Sequence, residues 1–355
     1  YKRQVYPLMV IFGLSETEWL QSTTTHVMET TGKNYAKLMQ IFSLIPNSMQ
    51  YEPNDQIGIP CDLNKIAQLL FFISLSATVV CLICARTKAK RWWIGGLGLL
   101  LSAVLLTGYF IPVSVPVMDL SAASETADTT YYDMIHKDCQ KDEAADFRVK
   151  KYQLDFSMGL NLTGRAKVYV DRSELKSYRF TLYHGYKVKQ VTDQTGAALD
   201  FRREYDYVTV TRGGAAVEYL CLEYTGKSPK YYSSYAGVCL PANFAYYPIP
   251  GYRELFKDNF YGFIDCSLPY DTAFDVRCSG RKQMYCNLAA RGDNHFAGNA
   301  RSITLLSGYY DTLKLNDTLV VYPKYADGEI QARIKKNMGT FTKQHRDIHT
   351  IFIMG

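Results

Sequence analysis

His345 and His349 are the only histidines in the chain at helical spacing. Two imidazoles four residues apart on a helix point to one side, as in the zinc-binding helix of many metallopeptidases. A catalytic zinc also needs a third protein ligand and a general base for its water, yet Arg346 stands where that base would be. The apolar residues 348–353 predict a strand that begins near His349. We therefore expect both histidines at a helix-to-strand turn, without a metal.

Cysteines are the second group of residues that could do chemistry. The chain has nine, and because Cys81 and Cys84 lie inside a long apolar run, an odd number remains outside it. A complete set of disulfides is therefore not predicted. Cys278 and Cys286 flank a short turn-like segment. They either face each other across a hairpin or are two buried free thiols, and we favour the second interpretation.

One stretch of the sequence is rich in aromatic residues and allows two interpretations. It is either a surface that faces a peptide or another partner, or the aromatic edge of a β core or its seam with a missing domain. We favour the second. The residues are Tyr231, Tyr232, Tyr235, Phe244, Tyr246, Tyr247 and Tyr252.

The elements that must carry these residues begin with two long apolar runs. Residues 66–85 contain no charged side chain, and a helix of that length, at about 1.5 Å per residue, spans one bilayer core. Residues 92–117 form a second run, long enough to span with some tilt. Residues 86–91 between them hold four cations, and no cation follows the second run until Lys137. The positive-inside rule then predicts a multi-pass protein of the cell (plasma) membrane, with loop 86–91 cytoplasmic and the later residues outside.

Length and charge limit the function classes. A chain of 355 residues is long enough for two domains, and its mean hydropathy is slightly negative despite the two apolar runs. The remainder must therefore form an ordinary polar domain. The net charge is +6, but loop 86–91 holds four of the cations, so we expect no nucleic-acid partner. Both ends of the chain look cut, and we expect a fragment of a longer protein.

Two segments have less definite patterns. Residues 1–64 are predicted to be an extracytoplasmic segment of uncertain fold, with one helix at residues 35–45 that Asn34 caps. Residues 118–149 are rich in small, polar and charged side chains. That composition is typical of a linker rather than a core. We predict a polar linker there, after a membrane hairpin at residues 65–117.

From residue 150 onward, apolar and polar residues alternate with a period of two, and glycines separate the alternating segments. This pattern predicts an all-β domain of antiparallel strands, sandwich-like or saddle-like, over residues 150–323. Because successive side chains of a strand point to opposite faces, the alternation also predicts the residues that face inward. They include Phe180, Leu182, Val208, Val210 and Leu222.

After Pro323 the period becomes helical. Ile330, Ile334, Met338 and Phe341 recur at helical spacing, and the strand-like residues 348–353 follow. A helix and a strand after an all-β block predict the truncated start of an α/β domain at residues 324–355. The predicted fold class is therefore a membrane α-hairpin plus an all-β domain.

Several motifs of the β-domain occur in a recognisable order. They are Tyr152-Gln-Leu-Asp-Phe156, Leu162-Thr-Gly-Arg-Ala-Lys-Val168, Tyr178-Arg-Phe-Thr-Leu-Tyr183, the segment from Val188 to Val191, Leu199-Asp-Phe201, Tyr219-Leu-Cys-Leu-Glu-Tyr-Thr-Gly226, Tyr246-Tyr-Pro248 and the segment from Ile303 to Gly308. With these motifs the domain resembles the N-terminal β-domain of the aminopeptidase N family of zinc metallopeptidases. A membrane hairpin before such a domain is also similar to bacterial ABC-2-type permeases that carry an aminopeptidase-like domain outside the cell.

The resemblance implies zinc chemistry, but not in these residues. The family binds zinc through a His-Glu-x-x-His helix, and this sequence has no such motif. We therefore assign no catalytic, cofactor-binding or metal-binding residue, and expect zinc only in a missing catalytic domain.

Two functions remain open at this point. The chain is either the membrane-anchored accessory β-domain of an aminopeptidase-like zinc metallopeptidase, or a permease subunit of an ABC-type transporter whose β-domain is a binding or assembly module. The expected partners are the lipid bilayer and the missing catalytic domain, with a peptide substrate or a transporter ATPase subunit as further candidates.

Overall fold

The computed structural model describes residues 63–85, 87–108, 128, 131–132, 136, 139–228, 230–235, 237–257, 262–324, 329–344 and 348–353. Within these residues, one compact unit contains the two apolar helices and a second contains the strands. The helix predicted at residues 35–45 lies outside the described residues, as does the end of the second apolar run at residues 109–117.

The two apolar runs form helices α1 (Leu63–Cys84) and α2 (Lys88–Thr107). Both are long and apolar enough to cross a membrane, judged by length and composition. The hydroxyl of Thr87 caps α2 by accepting a hydrogen bond from the backbone N–H of Lys90. Arg91 Nε donates to the carbonyl oxygen of Ala85 just beyond α1. The predicted basic loop is therefore shorter than expected, because α2 begins inside it.

Small side chains allow α1 and α2 to lie close together. A Cβ atom at Gly98 would overlap the side chain of Thr78, and the hydroxyls of Ser74 and Ser102 are 3.1 Å apart. Close approach through small residues is a common way for membrane helices to pack. Most of the large apolar side chains point away from this contact; the exposed ones are Ile66, Leu69, Leu70, Ile73, Val79, Val80, Ile83, Trp92, Trp93, Leu97, Leu99, Leu100, Leu101 and Val104.

The second unit is built from strands and one helix. The strands are β1 (Val149–Met158), β2 (Leu162–Val170), β3 (Ser177–Thr181), β4 (Tyr186–Thr192), β5 (Phe201–Glu204), β6 (Tyr207–Thr211), β7 (Tyr219–Gly226), β8 (Val238–Leu240), β9 (Ile249–Pro250), β10 (Phe256–Lys257), β11 (Gly262–Phe263), β12 (Thr272–Ser279), β13 (Tyr285–Cys286), β14 (Ala289–Gly292), β15 (His295–Ala300), β16 (Leu305–Ser307), β17 (Tyr310–Leu315), β18 (Thr318–Pro323) and β19 (Thr350–Phe352). The helix α3 (Ile330–Gln344) lies between β18 and β19.

Two large sheets share one core. The first has seven strands in the order β14-β15-β12-β1-β2-β7-β4, and the second has four in the order β5-β6-β3-β9. Inward side chains of both sheets belong to one buried cluster, as in a sandwich. The predicted inward register is confirmed, since the five residues predicted to face inward are all fully buried.

The prediction of antiparallel strands at residues 150–323 needs correction at one place, because β1 pairs in parallel with β12. β18 also pairs in parallel with β19, but β19 lies in the segment for which an α/β domain was predicted. Parallel neighbours need a long connection between them. Turn-forming residues in the sequence indicate only the hairpins between consecutive strands. The pairing of β1 with β12 joins strands that are far apart in the sequence, so no local pattern predicts it.

The prediction of a polar linker at residues 118–149 also needs correction where the structure describes it. Tyr132 and Phe147 lie in the main core, and Glu143 makes an isolated antiparallel bridge with Tyr252. The side-chain amide of Gln140 donates to the carbonyl of Phe256 and accepts from its backbone N–H. These residues pack against the β-domain because the rings of Tyr132 and Phe147 are buried there and the amide of Gln140 is hydrogen-bonded there. The average composition of the segment does not predict such individual contacts.

The last strands and α3 form a βαβ unit. β19 pairs with β18 at the edge of a three-stranded sheet in the order β17-β18-β19. Two of these strands precede residue 323, so the sheet crosses the domain boundary that was predicted there. Ile330, Ile334 and Met338 of α3 pack against Val320 and Tyr322 of β18. The predicted helix and strand are thus present, and they build on the preceding hairpin rather than starting after it.

Candidate functional site

The residues for which the sequence suggested chemistry do not form a site in the described part of the chain. His345 lies outside the described residues, and α3 ends at Gln344. His349 is exposed just before β19, where its backbone carbonyl accepts a hydrogen bond from the N–H of Leu319. An exposed histidine at the start of a strand does not fit the zinc-binding helix of the aminopeptidase family. Among the described residues, no three His, Cys, Asp or Glu side chains are grouped as metal ligands.

The cysteines near the core are free thiols. Cys278 and Cys286 are both free, and Cys286 is buried. Burial raises the pKa of Cys286 to about 12 and also raises the pKa of Cys278. Since the thiolate is the reactive form, such burial makes a thiol unreactive.

Most of the aromatic stretch lies in the core, which agrees with the interpretation that we favoured. Phe244, Tyr246 and Tyr247 are fully buried, and Tyr231 packs against the same cluster. Only Tyr235 exposes more than a third of its surface.

The resemblance motifs meet in one buried network. Tyr224 of β7 lies over Gly164 of β2, where a Cβ atom would overlap its ring, and the Tyr224 hydroxyl donates to the carbonyl of Tyr246. The Tyr246 hydroxyl in turn donates to the carbonyl of Ile303. Because buried polar groups need partners, each of these tyrosines fixes two distant segments relative to each other.

Tyr152 extends this network to the first strand. Its hydroxyl donates to the carbonyl of Pro248 at 2.9 Å, and its ring stacks on Phe274. Five of the motif segments are therefore joined by three tyrosine hydroxyls and by the close approach of Tyr224 to Gly164.

A cluster of charged and aromatic residues lies at one end of the β-domain, where the loop after β3 meets the turn between β5 and β6. Asp206 of that turn holds the two together. Its side chain accepts a hydrogen bond from the backbone N–H of His184 at 2.6 Å, and its carbonyl accepts one from the N–H of Leu182 at 2.8 Å. Asp206 is almost completely buried, so these two bonds are made in a low-dielectric environment.

Arg203 of β5 crosses the same junction. One terminal nitrogen, Nη2, donates to the carbonyls of Leu182 and Tyr183 at 2.8 and 3.0 Å, and Nε donates to the carbonyl of Tyr205. Among the residues that the structure describes, none provides a hydrogen-bond partner for the other terminal nitrogen, Nη1, which is buried. Burial lowers the pKa of the guanidinium, and the charge of Asp206 opposes this.

His184 lies between two carboxyl groups. Its Nδ1 is 3.4 Å from Asp206 Oδ1, and its Nε2 is 3.9 Å from Asp128 Oδ1. Burial raises the pKa of Asp128, while a hydrogen bond from Tyr183 and the nearby His184 oppose the rise. The Tyr183 hydroxyl donates that bond at 2.5 Å.

Tyrosine rings cover the cluster. Tyr131 stacks on the His184 imidazole with ring centroids 3.5 Å apart, and Tyr132 stacks on Phe256 inside the core. Tyr205 has φ 54°, a left-handed conformation that is costly for a large side chain.

A cleft of about 430 Å³ opens beside this cluster. It is lined by Tyr131, His184, Lys187, Val188, Arg203 and Tyr205. The cleft brings two cationic side chains and an imidazole together with aromatic and aliphatic walls. This combination can hold an anionic group attached to an apolar body.

Sequence reasoning identified none of these cleft residues. They come from three separate parts of the chain, and no motif of fixed spacing connects them. The one local signal is the run of charged and aromatic residues from Arg202 to Tyr207, which is equally typical of an ordinary hairpin.

Comparison with known proteins gives matches among solved structures but none by sequence. No protein-family model matches the sequence, and no curated protein matches it. Among solved structures, the chain is similar to an M1 zinc metallopeptidase from Deinococcus radiodurans, with a TM-score of 0.33 and 12% identity over 59% of this chain and 57% of the other. It is also similar to yeast leukotriene A4 hydrolase solved with bestatin, with a TM-score of 0.41 and 12% identity over 61% of this chain and 39% of the other.

A second structure of the hydrolase, from Saccharomyces cerevisiae, gives a TM-score of 0.39 and 10% identity over 62% of this chain and 38% of the other. The chain thus spans between about two fifths and three fifths of the length of these proteins. With TM-scores below 0.5 and identities of 10–12%, these likenesses establish neither the family nor the activity of this chain.

Proposed function

We propose that this chain is the membrane-anchored accessory β-domain of an aminopeptidase-like zinc metallopeptidase, presented outside the cell. Catalysis then belongs to a zinc domain that packs against the β-domain, and residues of this chain supply no metal ligand. The chain contributes anchoring through α1 and α2, and a rigid β scaffold against which the catalytic domain is held.

The observation that carries this proposal is the buried network of the resemblance motifs. Gly164, Tyr224, Tyr246 and Tyr152 are motif residues by sequence, and they contact one another or one another's segments in the core. The motif segments therefore pack together in one core, and this packing supports the proposal of an aminopeptidase-like β-domain.

The test is to purify the full chain in detergent, measure bound zinc by elemental analysis, and assay hydrolysis of leucine p-nitroanilide. We expect zinc well below stoichiometry and no turnover above background, both unchanged in His349→Ala. Near-stoichiometric zinc and turnover that are both lost in His345→Ala and in His349→Ala would overturn the proposal, since the histidine pair would then be the metal site.

A further inference from the structure

We propose that the cleft lined by Lys187, Arg203 and His184 binds a ligand through a carboxylate group attached to an apolar or aromatic body. The inference does not depend on the proposed function. It rests on an unpaired donor, the positive charge of the lining side chains, and the character of the walls.

The unpaired donor is Nη1 of Arg203. A buried donor without a partner costs free energy, and for a charged group the cost is larger than for a neutral one. The other two nitrogens of this guanidinium are held by backbone carbonyls, so the side chain is fixed rather than free to turn toward solvent. Arg203 is one of the residues that line the cleft, so a ligand oxygen that reached Nη1 would supply the missing acceptor.

The side chains that line the cleft favour an anion. Lys187 and Arg203 bring two positive charges to the lining. The carboxyl groups of Asp206 and Asp128 lie beside His184 and are not among the side chains that line the cleft. Since Nε and Nη2 of Arg203 donate to backbone carbonyls, Nη1 is the nitrogen that remains for a ligand, and a charged donor of this kind makes a strong hydrogen bond to a carboxylate oxygen.

The walls suit an apolar body next to that carboxylate. Tyr131 and Val188 line the cleft together with Tyr205. Tyr205 keeps φ 54°, although glycine, asparagine or aspartate would adopt this conformation at lower cost. Backbone strain of this kind persists only where the surroundings determine it, and here it directs an aromatic ring to the edge of the cleft.

The experiment uses the full chain in lipid nanodiscs and ligand-observed NMR titrations. The probes are N-acetyl-phenylalanine, its amide, benzoate and inorganic phosphate. We expect N-acetyl-phenylalanine to bind and its amide, which has the same body without the charge, not to bind. If benzoate binds as tightly as N-acetyl-phenylalanine, the ligand is a free organic acid; if benzoate binds at least tenfold more weakly, it is the carboxyl end of a peptide.

Three variants test the residues. Lys187→Gln should weaken binding of N-acetyl-phenylalanine about fivefold, as expected for a partly exposed ion pair, and the matched control Lys189→Gln on the same strand should leave it unchanged. Arg203→Gln should weaken it about tenfold or more. Because Arg203→Gln also removes bonds to the backbone, Tyr205→Asn provides an independent test. This substitution removes the aromatic ring from the cleft, so binding should weaken. It also relieves the strained φ, so the melting temperature should stay the same or rise.

Three results would overturn the inference. They are binding of the amide as tight as that of the acid, tighter binding of phosphate than of N-acetyl-phenylalanine, and Lys187→Gln and Tyr205→Asn variants that both bind like the unchanged protein.

Discussion

At the scale of single residues, tyrosines and glycines determine how the β-domain holds together. Tyr224 and Tyr246 each place an aromatic ring in the core and a hydroxyl on a distant carbonyl. A phenylalanine would fill the same space but leave a buried carbonyl without its donor. Gly164 contributes because its missing side chain leaves space for the Tyr224 ring. The alternation of apolar and polar residues does not predict such a contact.

The contact between Gly164 and Tyr224 leads to a prediction about stability. In Gly164→Ala, the added methyl group would overlap the Tyr224 ring, and the ring would have to shift within a close-packed core. We expect a loss of about 1–3 kcal/mol of unfolding free energy, measured by urea denaturation of the full chain in detergent. Gly159→Ala is the matched control, because the nearest atom to its Cβ would be 3.6 Å away. Equal losses in the two variants would contradict this contact.

The burial of Asp128 leads to a prediction about pH. Its pKa in the folded protein is raised above the ordinary value of 3.8 by burial. A carboxyl group with a raised folded pKa stabilises the fold fully below its unfolded pKa, and this stabilisation is lost as the pH rises through the folded pKa. At neutral pH the buried carboxylate is therefore unfavourable, whereas an asparagine would not be.

We expect the melting temperature of Asp128→Asn, relative to that of the unchanged protein, to increase between pH 3.5 and pH 7. Asparagine keeps an oxygen that can accept the Tyr183 hydroxyl, so the comparison isolates the charge. Thermal unfolding of both proteins at intervals of half a pH unit measures the difference between their melting temperatures. A relative melting temperature that decreases over this range would show that pairing of Asp128 with His184 outweighs burial.

At the scale of elements, the two apolar helices pack through small residues rather than through large ones. Gly98 faces Thr78, and Ser102 is almost completely buried, while the leucine and isoleucine side chains largely face outward. In a lipid environment, close backbone approach supplies the packing that the hydrophobic effect does not.

This packing can be tested by cross-linking. In a variant without the native cysteines Cys81 and Cys84, Ser74→Cys and Ser102→Cys should form a disulfide on mild oxidation, because the two hydroxyls are 3.1 Å apart. Gly98→Val should abolish the cross-link, since its side chain would collide with Thr78. Gly96→Val should keep it, since a Cβ there has no atom within 4 Å. Cross-linking that persists in Gly98→Val would show that the helices meet along another face.

At the scale of the whole molecule, the arrangement across the membrane remains a prediction from charge. The helices are long and apolar enough to span a bilayer, and the asymmetry of Lys and Arg supplies the direction. The proposal that the β-domain lies outside the cell depends on that direction.

Single cysteines introduced at Thr87 and Ser124, in a protein without its native cysteines, test it in intact cells with a membrane-impermeant thiol reagent. We expect labelling at Ser124 and none at Thr87, which should react only after the cells are opened. Labelling at Thr87 but not at Ser124 in intact cells would reverse the topology, and with it the proposed location of the β-domain.

The sequence by itself determined the elements. Uncharged runs predicted α1 and α2, and the period of two predicted the inward faces of β3 and β6. The helical spacing of Ile330, Ile334 and Met338 predicted α3. These properties are local, because they depend on which side chains within a single helix or strand face water or lipid and which face the core.

Only the tertiary structure decided which distant segments meet. The parallel pairing of β1 with β12, the packing of Tyr132 and Phe147 in the core, and the cleft around Arg203 all join residues far apart in the chain. Such contacts form when the whole core closes. No residue spacing encodes them, because each one depends on how segments that are distant in the sequence pack against one another.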